Sequence, residues 1–468
     1  MNNNNSLDPQ DWEQARALGH RMVDDALAYL RSVRERPVWT PIPDDVKAHY
    51  REPLPREPTP ADEVYEEFKR TIFPYTSGNI HPRFFSWVHG TGTFTGALAD
   101  LMASVMNPNC AIGEHSAMYI DRQVIDWCKD IMGFPATAGG LLVSGGSMAN
   151  LSALAVARER ALERGAGGPA APLIAYGSTE THQCVNKALR ILGAGFCALP
   201  ADEHFRLPVA LLRQRVRADR ANGQVPFCIV ANAGTVNTGA IDPLEDLKTV
   251  AWEEGLWLHV DGAFGALARL SSTHAQALAA IESADSVAFD LHKWMYMPYE
   301  VGCVLIRDAA LQRRTFAAPA HYLLSHDRGL ASGPDAYSNQ GIELSRGFKA
   351  LKVWMSLKEH GIRRYAEMIG QNIAQAAYLG RLVGDSPDLE LLAPVTMNIV
   401  CFRYKGGDDA LNKELLMRLH ESGVAAPSYT VLHGRYALRV AITNHRTRME
   451  DMDNLVADVR KIGATFAK

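Results

Sequence analysis

Apolar residues recur at helical spacing from the start of the chain. Trp12, Ala15, Met22, Val23, Ala26, Leu27 and Leu30 share one face. Asp8 and Pro9 stand just ahead, suited to an N-cap and a first helical position. So little chain precedes this face that it is expected to bind another subunit. Seven prolines between Arg36 and Pro60 predict an extended run over a surface, and helix resumes near Ala61 to Thr71. From about Thr93 the pattern changes. Short continuous apolar runs predict strands at Gly140–Val143, Leu173–Tyr176, Phe227–Ala231, Leu256–Val260, Ser286–Phe289 and Gly302–Ile306. Helical segments are expected between them at Met148–Arg164, His182–Leu192, Leu244–Glu254 and Ala275–Ile281.

Such alternation implies an α/β fold with a mainly parallel sheet covered by helices on both faces. Ligands of these sheets lie at the carboxyl ends of the strands. A long helix near Gly347–His360 leads out of this region into a smaller α+β unit. Strands are expected there at Asn398–Tyr404 and Tyr436–Thr443, with helices at Leu411–Ser422 and Arg448–Ile462. The chain divides into a helical and extended dimerisation segment (1–80), a large ligand-binding domain (81–360) and a small C-terminal domain (361–468).

Composition narrows the function classes. The 468 residues carry a net charge of -4, with no basic excess for nucleic acid. No uninterrupted apolar run is long enough to cross a bilayer, and the polar N-terminus lacks the pattern of a secretory signal. Seven scattered cysteines without a CxxC pair read as reduced core residues of a cytoplasmic protein, and no ligand spacing supports a metal site.

Three sites carry chemistry. Ser144-Gly145-Gly146-Ser147-Met148-Ala149-Asn150 follows a strand and opens a helix, where free N–H groups and the helix dipole suit a phosphate; simple turn geometry would produce the same pattern. Asp261, in His259-Val260-Asp261-Gly262-Ala263-Phe264, ends an apolar strand, where a carboxylate needs a cation or several donors; a strand-end cap is the plainer reading. Lys293, in Asp290-Leu291-His292-Lys293-Trp294, sits just past another apolar strand, where burial is expected to lower its pKa and make it a nucleophile; otherwise it is a loop lysine. All three fall at strand ends of one expected sheet. A phosphate cradle, a buried carboxylate and an amine in one crevice are what pyridoxal 5'-phosphate requires.

With His81-Pro82-Arg83-Phe84-Phe85 and Leu344-Ser345-Arg346 before Phe348-Lys349, these motifs resemble the group II pyridoxal-phosphate decarboxylases, typified by aromatic-L-amino-acid decarboxylase. The resemblance covers nearly the whole chain. It implies the aspartate-aminotransferase-like fold type I and a homodimer acting on a small amino acid. By resemblance, Lys293 holds the cofactor as an imine, Asp261 faces its ring nitrogen and Ala263 lies beneath the ring. Gly146 and Ser147 match phosphate contacts, His182 the histidine stacked over the ring, and Thr235 a hydroxyl near the cofactor. His292 orients the lysine. Tyr322, within a long weakly periodic segment, matches a catalytic tyrosine on a mobile loop, expected to protonate Cα after CO2 leaves.

The substrate positions depart from the aromatic enzymes. Asn79 and His89 replace an aromatic residue and a proline, and Asn107 and Asn109 replace apolar positions offered by the partner subunit. Phe84 and Trp87 keep aromatic surface. Ser345 matches a position at which serine accompanies phenolic substrates. Asp290 replaces an asparagine near the phosphate, so it must turn away or bind a cation. Polar groups around a bare phenyl ring would go unpaired, which favours a phenol, catechol, hydroxyindole or a polar non-aromatic side chain. The expected reaction is therefore decarboxylation of an L-amino acid, provisionally aromatic. An oxidative aldehyde synthase and a non-catalytic scaffold are the alternatives. Tyr322 argues against the first, and the presence of Lys293, Asp261 and His182 against the second.

Overall fold

The computed structural model describes residues 6–165, 172–317 and 326–466. Twelve strands, β1–β12, form two sheets among these residues. The larger sheet contains β2 (Gly139–Val143), β3 (Leu173–Ser178), β4 (Gly195–Leu199), β5 (Val225–Asn232), β6 (Trp257–Asp261), β7 (Ser286–Asp290) and β8 (Gly302–Ile306). Its order is β2-β8-β7-β6-β5-β3-β4, and only β8 runs against the others. Strands β2, β5, β6 and β7 are thus co-directional, and their carboxyl ends share one edge. Val-, Leu- and Ala-rich sequences fill these strands because both sheet faces are covered.

The smaller sheet has the order β1-β11-β12-β10-β9. It joins β9 (Leu389–Leu391), β10 (Ile399–Tyr404), β11 (Ala426–Leu432) and β12 (Arg435–Ala441) to β1 (Phe84–Phe85). Phe84 and Phe85, which the sequence places in the large domain, pair in parallel with Ala426 and Pro427 of β11. Arg439 of β12 ties the small sheet to the loop after β5 through the Val236 and Asn237 carbonyls.

Several elements differ from expectation. Helix Trp12–Arg31 is capped by Asp11, whose carboxylate accepts from the N–H groups of Glu13 and Gln14, so Asp8 and Pro9 stay outside. The proline-rich stretch contains a short helix, Asp44–His49. Ala275–Ile281 does not form an α-helix. The Arg269 guanidinium takes the Leu278 and Ala279 carbonyls, and a 3-10 turn follows at Ala279–Ser283. The helix expected at Gly347–His360 begins at Ala350 and runs to Asp385, interrupted at Gly361, whose φ of 69° suits glycine. Strand β4 and helix Val209–Ala221 lie outside the expected elements; β4 is a partly exposed edge strand, Gly-Phe-Cys-Ala-Leu. All seven cysteines are free. No helix among the described residues is long and apolar enough to cross a membrane.

Candidate active site

A cavity of about 620 Å³ opens at the carboxyl ends of β2, β6 and β7. Its floor brings together Ser144, Gly146, Ser147, His182, Asp261, Ala263, His292 and Lys293. The glycine turn leads from β2 into helix Gly146–Glu163. Met148 and Ala149 donate their N–H groups to the Gly145 carbonyl, whereas those of Gly146 and Ser147 have no protein acceptor among the described residues. Two free N–H groups at a helix start suit an anion such as a phosphate. The turn tolerates no side chain beneath it. A Cβ on Gly302 would lie 2.6 Å from both Gly145 Cα and Asp290 Oδ1, and one on Gly146 would lie 3.0 Å from Asp290 Oδ2.

Asp290 turns toward a cation, one of its two expected resolutions: its Oδ2 is 2.8 Å from Lys293 Nζ. This contact corrects the expectation for the lysine. Burial pulls the Lys293 ammonium down, but the Asp290 and Asp261 carboxylates outweigh it and hold the group above its ordinary value. Without cofactor, Lys293 is a charged lysine rather than a free amine. His292 accepts the Val301 N–H at Nδ1, 3.1 Å away, and packs against Tyr299 with ring centroids 4.4 Å apart. Burial pushes its imidazole down to about 4, so it is neutral.

Asp261 ends β6 in a buried position. It accepts from Ala263 N and from Asn150 Nδ2, each at 3.2 Å. Burial raises its pKa, opposed by the charges of Lys293 and His182. His182 caps helix Gln183–Ile191 by accepting the Cys184 N–H. Desolvation holds its imidazole below the ordinary value against the pull of Asp261. Ala263 offers only a methyl group to the cavity between Asp261 and the glycine turn, leaving room for a flat ring.

Other expected site residues lie elsewhere. Thr235 is fully buried in its own turn, bonded to Thr238 Oγ1 and the Ala240 N–H; its neighbour Val236 lines the cavity instead. Asn79 directs its amide to the Gly90 carbonyl at 2.7 Å and accepts from Ser77 Oγ, so it does not face the cavity. Phe84 backs the His89 ring, with centroids 5.8 Å apart and planes within 17°, while Trp87 and His89 line the cavity. Asn107 is the left-handed C-cap of helix Phe94–Met106. Asn109 binds the Arg346 N–H and the Leu344 carbonyl, beside exposed Ser345. Asn107, Asn109 and Ser345 thus lie outside this chain's own cavity. Tyr322 falls outside the described residues.

Sequence reasoning missed the contribution of the small sheet. Ser428 and Tyr429 of β11 and Arg439 of β12 close one wall. Arg439 is buried and reaches the carbonyls of Val236, Asn237 and Trp87. Tyr299, from the loop before β8, was also missed. No local pattern marks Ser428, Tyr429 and Arg439, because their position depends on pairing between distant segments.

Comparison with known proteins agrees with this geometry. The sequence profile of the "Pyridoxal-dependent decarboxylase conserved domain" matches residues 43–405. An aromatic-L-amino-acid decarboxylase of Bacillus atrophaeus is 35% identical over 463 residues, covering 96% of this chain and 95% of that one. A phenylacetaldehyde synthase of Petunia hybrida is 27% identical over 463 residues, covering 93% and 91%. The crystal structure of Oryza sativa TDC with PLP and tryptamine superposes with a TM-score of 0.90 at 25% identity, covering 99% of this chain and all of that one.

Proposed function

Because the chain belongs to the pyridoxal-dependent decarboxylase family and is a fold type I carboxy-lyase using pyridoxal phosphate, we propose that its substrate is an L-amino acid with a hydroxylated aromatic side chain. The observation that carries this reading is the cavity itself. Lys293, Asp261 and the Gly146–Ser147 N–H groups converge on its floor, while Trp87, His89, Tyr299 and Tyr429 form aromatic walls. Burial, then the nearby Lys293 charge, lowers the His89 pKa, so its neutral ring can donate to or accept from a hydroxyl on the substrate's aromatic ring, depending on which nitrogen faces it.

Bound pyridoxal phosphate supplies an electron sink for the pair released when the α-carboxylate leaves. The residues around it have separable tasks. Gly146 and Ser147 would hold the phosphate, and Lys293 would be the covalent anchor. Asp261 would pair with the ring nitrogen and keep it protonated, which is electrostatic stabilisation of the developing charge. Ala263 and His182 would bracket the ring, and His292 would orient the anchor. Tyr322 is assigned from sequence to protonation of Cα.

A homodimer is part of this proposal. Helix Trp12–Arg31 has no buried residue within one chain, and Leu101, Met102, Val105 and Met106 expose a further apolar stripe. A second copy covering these faces would supply a surface bearing Asn107, Asn109 and Ser345 to the rim of the cavity.

The test is CO2 release across the twenty amino acids plus DOPA and 5-hydroxytryptophan, with product analysis. Tyrosine, DOPA or 5-hydroxytryptophan should lead, each giving the amine. Preference for phenylalanine or a non-aromatic amino acid would overturn the substrate assignment. Stoichiometric peroxide with aldehyde would establish the oxidative route. Borohydride should fix the cofactor on the Lys293 peptide, and Lys293→Ala should lose both this label and turnover.

A further inference from the structure

Behind Asp261 runs a file of polar side chains that none of the steps above uses. Trp257 and His259 on β6, Ser286 on β7 and Asn150 on helix Gly146–Glu163 are all 1% exposed or less. Trp257 Nε1 donates to Ser286 Oγ at 2.7 Å, and Ser286 Oγ lies 2.9 Å from His259 Nδ1. His259 Nε2 is 2.6 Å from Asn150 Oδ1, and Asn150 Nδ2 is 3.2 Å from Asp261 Oδ2. The second amide hydrogen of Asn150 faces Cys184 Sγ at 3.4 Å.

The two ends of this file set its direction. A carboxylate only accepts, so Asn150 must turn its NH2 toward Asp261 and its oxygen toward His259. His259 must then carry its proton on Nε2, which leaves a lone pair on Nδ1. The Ser286 hydroxyl proton fills that position, and the serine oxygen accepts from the indole, which only donates. Every hydrogen bond points toward Asp261.

An Asp261 protonated on Oδ2, the oxygen that faces Asn150, breaks this order. It would donate to a reversed Asn150, whose NH2 would face Nε2 and force the histidine proton onto Nδ1. Two donors would then meet Ser286 Oγ, and the serine proton would be stranded where no water reaches. Stranding a buried polar hydrogen is costly, and chains of such bonds reinforce one another.

We propose that Asn150 and His259 are positioning residues that hold Asp261 as a carboxylate aimed at the cofactor's ring nitrogen. This rests on Asp261 being the partner of that nitrogen. The other groups facing Asp261 are Lys293, His182, Asp290 and Cys184. Burial raises Asp261 toward the neutral form, and the file opposes that tendency with a fixed dipole rather than a charge. His259 suits the role because burial takes its own pKa down to about 3, so it remains neutral, and its neighbours Ser286 and Asn150 select the tautomer.

The test uses the full chain labelled with 15N-histidine, with and without pyridoxal phosphate labelled with 15N at the ring nitrogen. His259, assigned by loss of its signal in His259→Gln, should carry its proton on Nε2 in the wild type. In cofactor-loaded His259→Leu the ring-nitrogen signal should move toward the unprotonated position, with kcat down by about tenfold or more and KM little changed. His259→Gln, which restores an N–H toward Asn150, should recover most of both. A proton on Nδ1 in the wild type overturns the proposal, and so does a loaded His259→Leu variant with unchanged ring protonation. The wild-type measurement decides alone if that variant fails to fold. A ring nitrogen still protonated in Asp261→Ala would instead refute the assignment of Asp261.

Discussion

The Asp290–Lys293 ion pair makes cofactor capture slower than the lysine alone would allow, and Asp290→Asn should accelerate it. Only the neutral amine attacks an aldehyde. Nζ lies 2.8 Å from Oδ2, in a site where the lysine side chain is 22% exposed and the aspartate 2%. With charge centres roughly 4 Å apart and an effective dielectric near 20, the attraction is about 4 kcal/mol. Solvent screening of the partly open lysine reduces this to about 2 kcal/mol. Loss of that stabilisation raises the neutral fraction about thirty-fold, since each 1.36 kcal/mol is tenfold. The sign follows from the direction of the shift: a lysine held above its ordinary value is charged throughout the neutral range, so capture quickens as pH rises. The assay is stopped-flow absorbance on the cofactor-free protein at about pH 7.5. Pyridoxal without its phosphate serves as the aldehyde, so that contacts to the phosphate do not enter. Borohydride trapping and peptide mapping then confirm attachment at Lys293. Capture by Asp290→Asn at a rate within about threefold of wild type would refute the electrostatic argument.

Arg346→Met should leave Asp121 buried without its 3.0 Å partner and cost about 3–5 kcal/mol, read as a lowered urea midpoint; a midpoint unchanged from wild type would contradict this. Gly302→Ala should fold yet fail to retain pyridoxal phosphate in dialysis, because its Cβ would meet Gly145 Cα at 2.6 Å under the phosphate turn; undiminished retention would show that the turn yields. Six of the described histidines are held below their ordinary value of 6.5 chiefly by burial, His89 and His182 among them; His81, His292 and His445 fall to about 4 and His259 to about 3. Below pH 6.5 the unfolded chain binds protons that the folded chain refuses. Stability of the cofactor-free protein should therefore be full above that pH and fall toward pH 4, by up to about 1.4 kcal/mol per pH unit for each histidine. Asp242, raised to about 6 by burial, gains a proton on the folded side in the same window and offsets part of this loss, so the check is the difference from His259→Gln: a variant with the wild-type pH dependence would show that this ring is not buried as a neutral group.

The main elements of the large sheet and the floor of its site were legible in the amino-acid sequence. Continuous apolar runs separated by helical periods specify buried strands and their covering helices through local spacing alone. β8 lies where the pattern places it, and β5 and β7 extend the expected runs by a residue or more. The glycine turn, Asp261 and Lys293 each follow such a run directly, so the residues near the cavity floor could be read from position along the chain. Tertiary structure decided which way side chains point and which distant segments meet. Asn79 and Thr235 bond within or beside their own turns because the backbone there aims them away from the cavity. Asp290 becomes the partner of Lys293 because one helical turn after β7 folds the amine back over the strand end. Ser86 reaches the Ala426 carbonyl across 340 positions, and this pairing carries Ser428, Tyr429 and Arg439 to the cavity wall. Local periodicity reports only the face a residue turns to its neighbours. Contacts across hundreds of residues are selected by the packing of the whole molecule, where burial, hydrogen bonding and charge must be satisfied together.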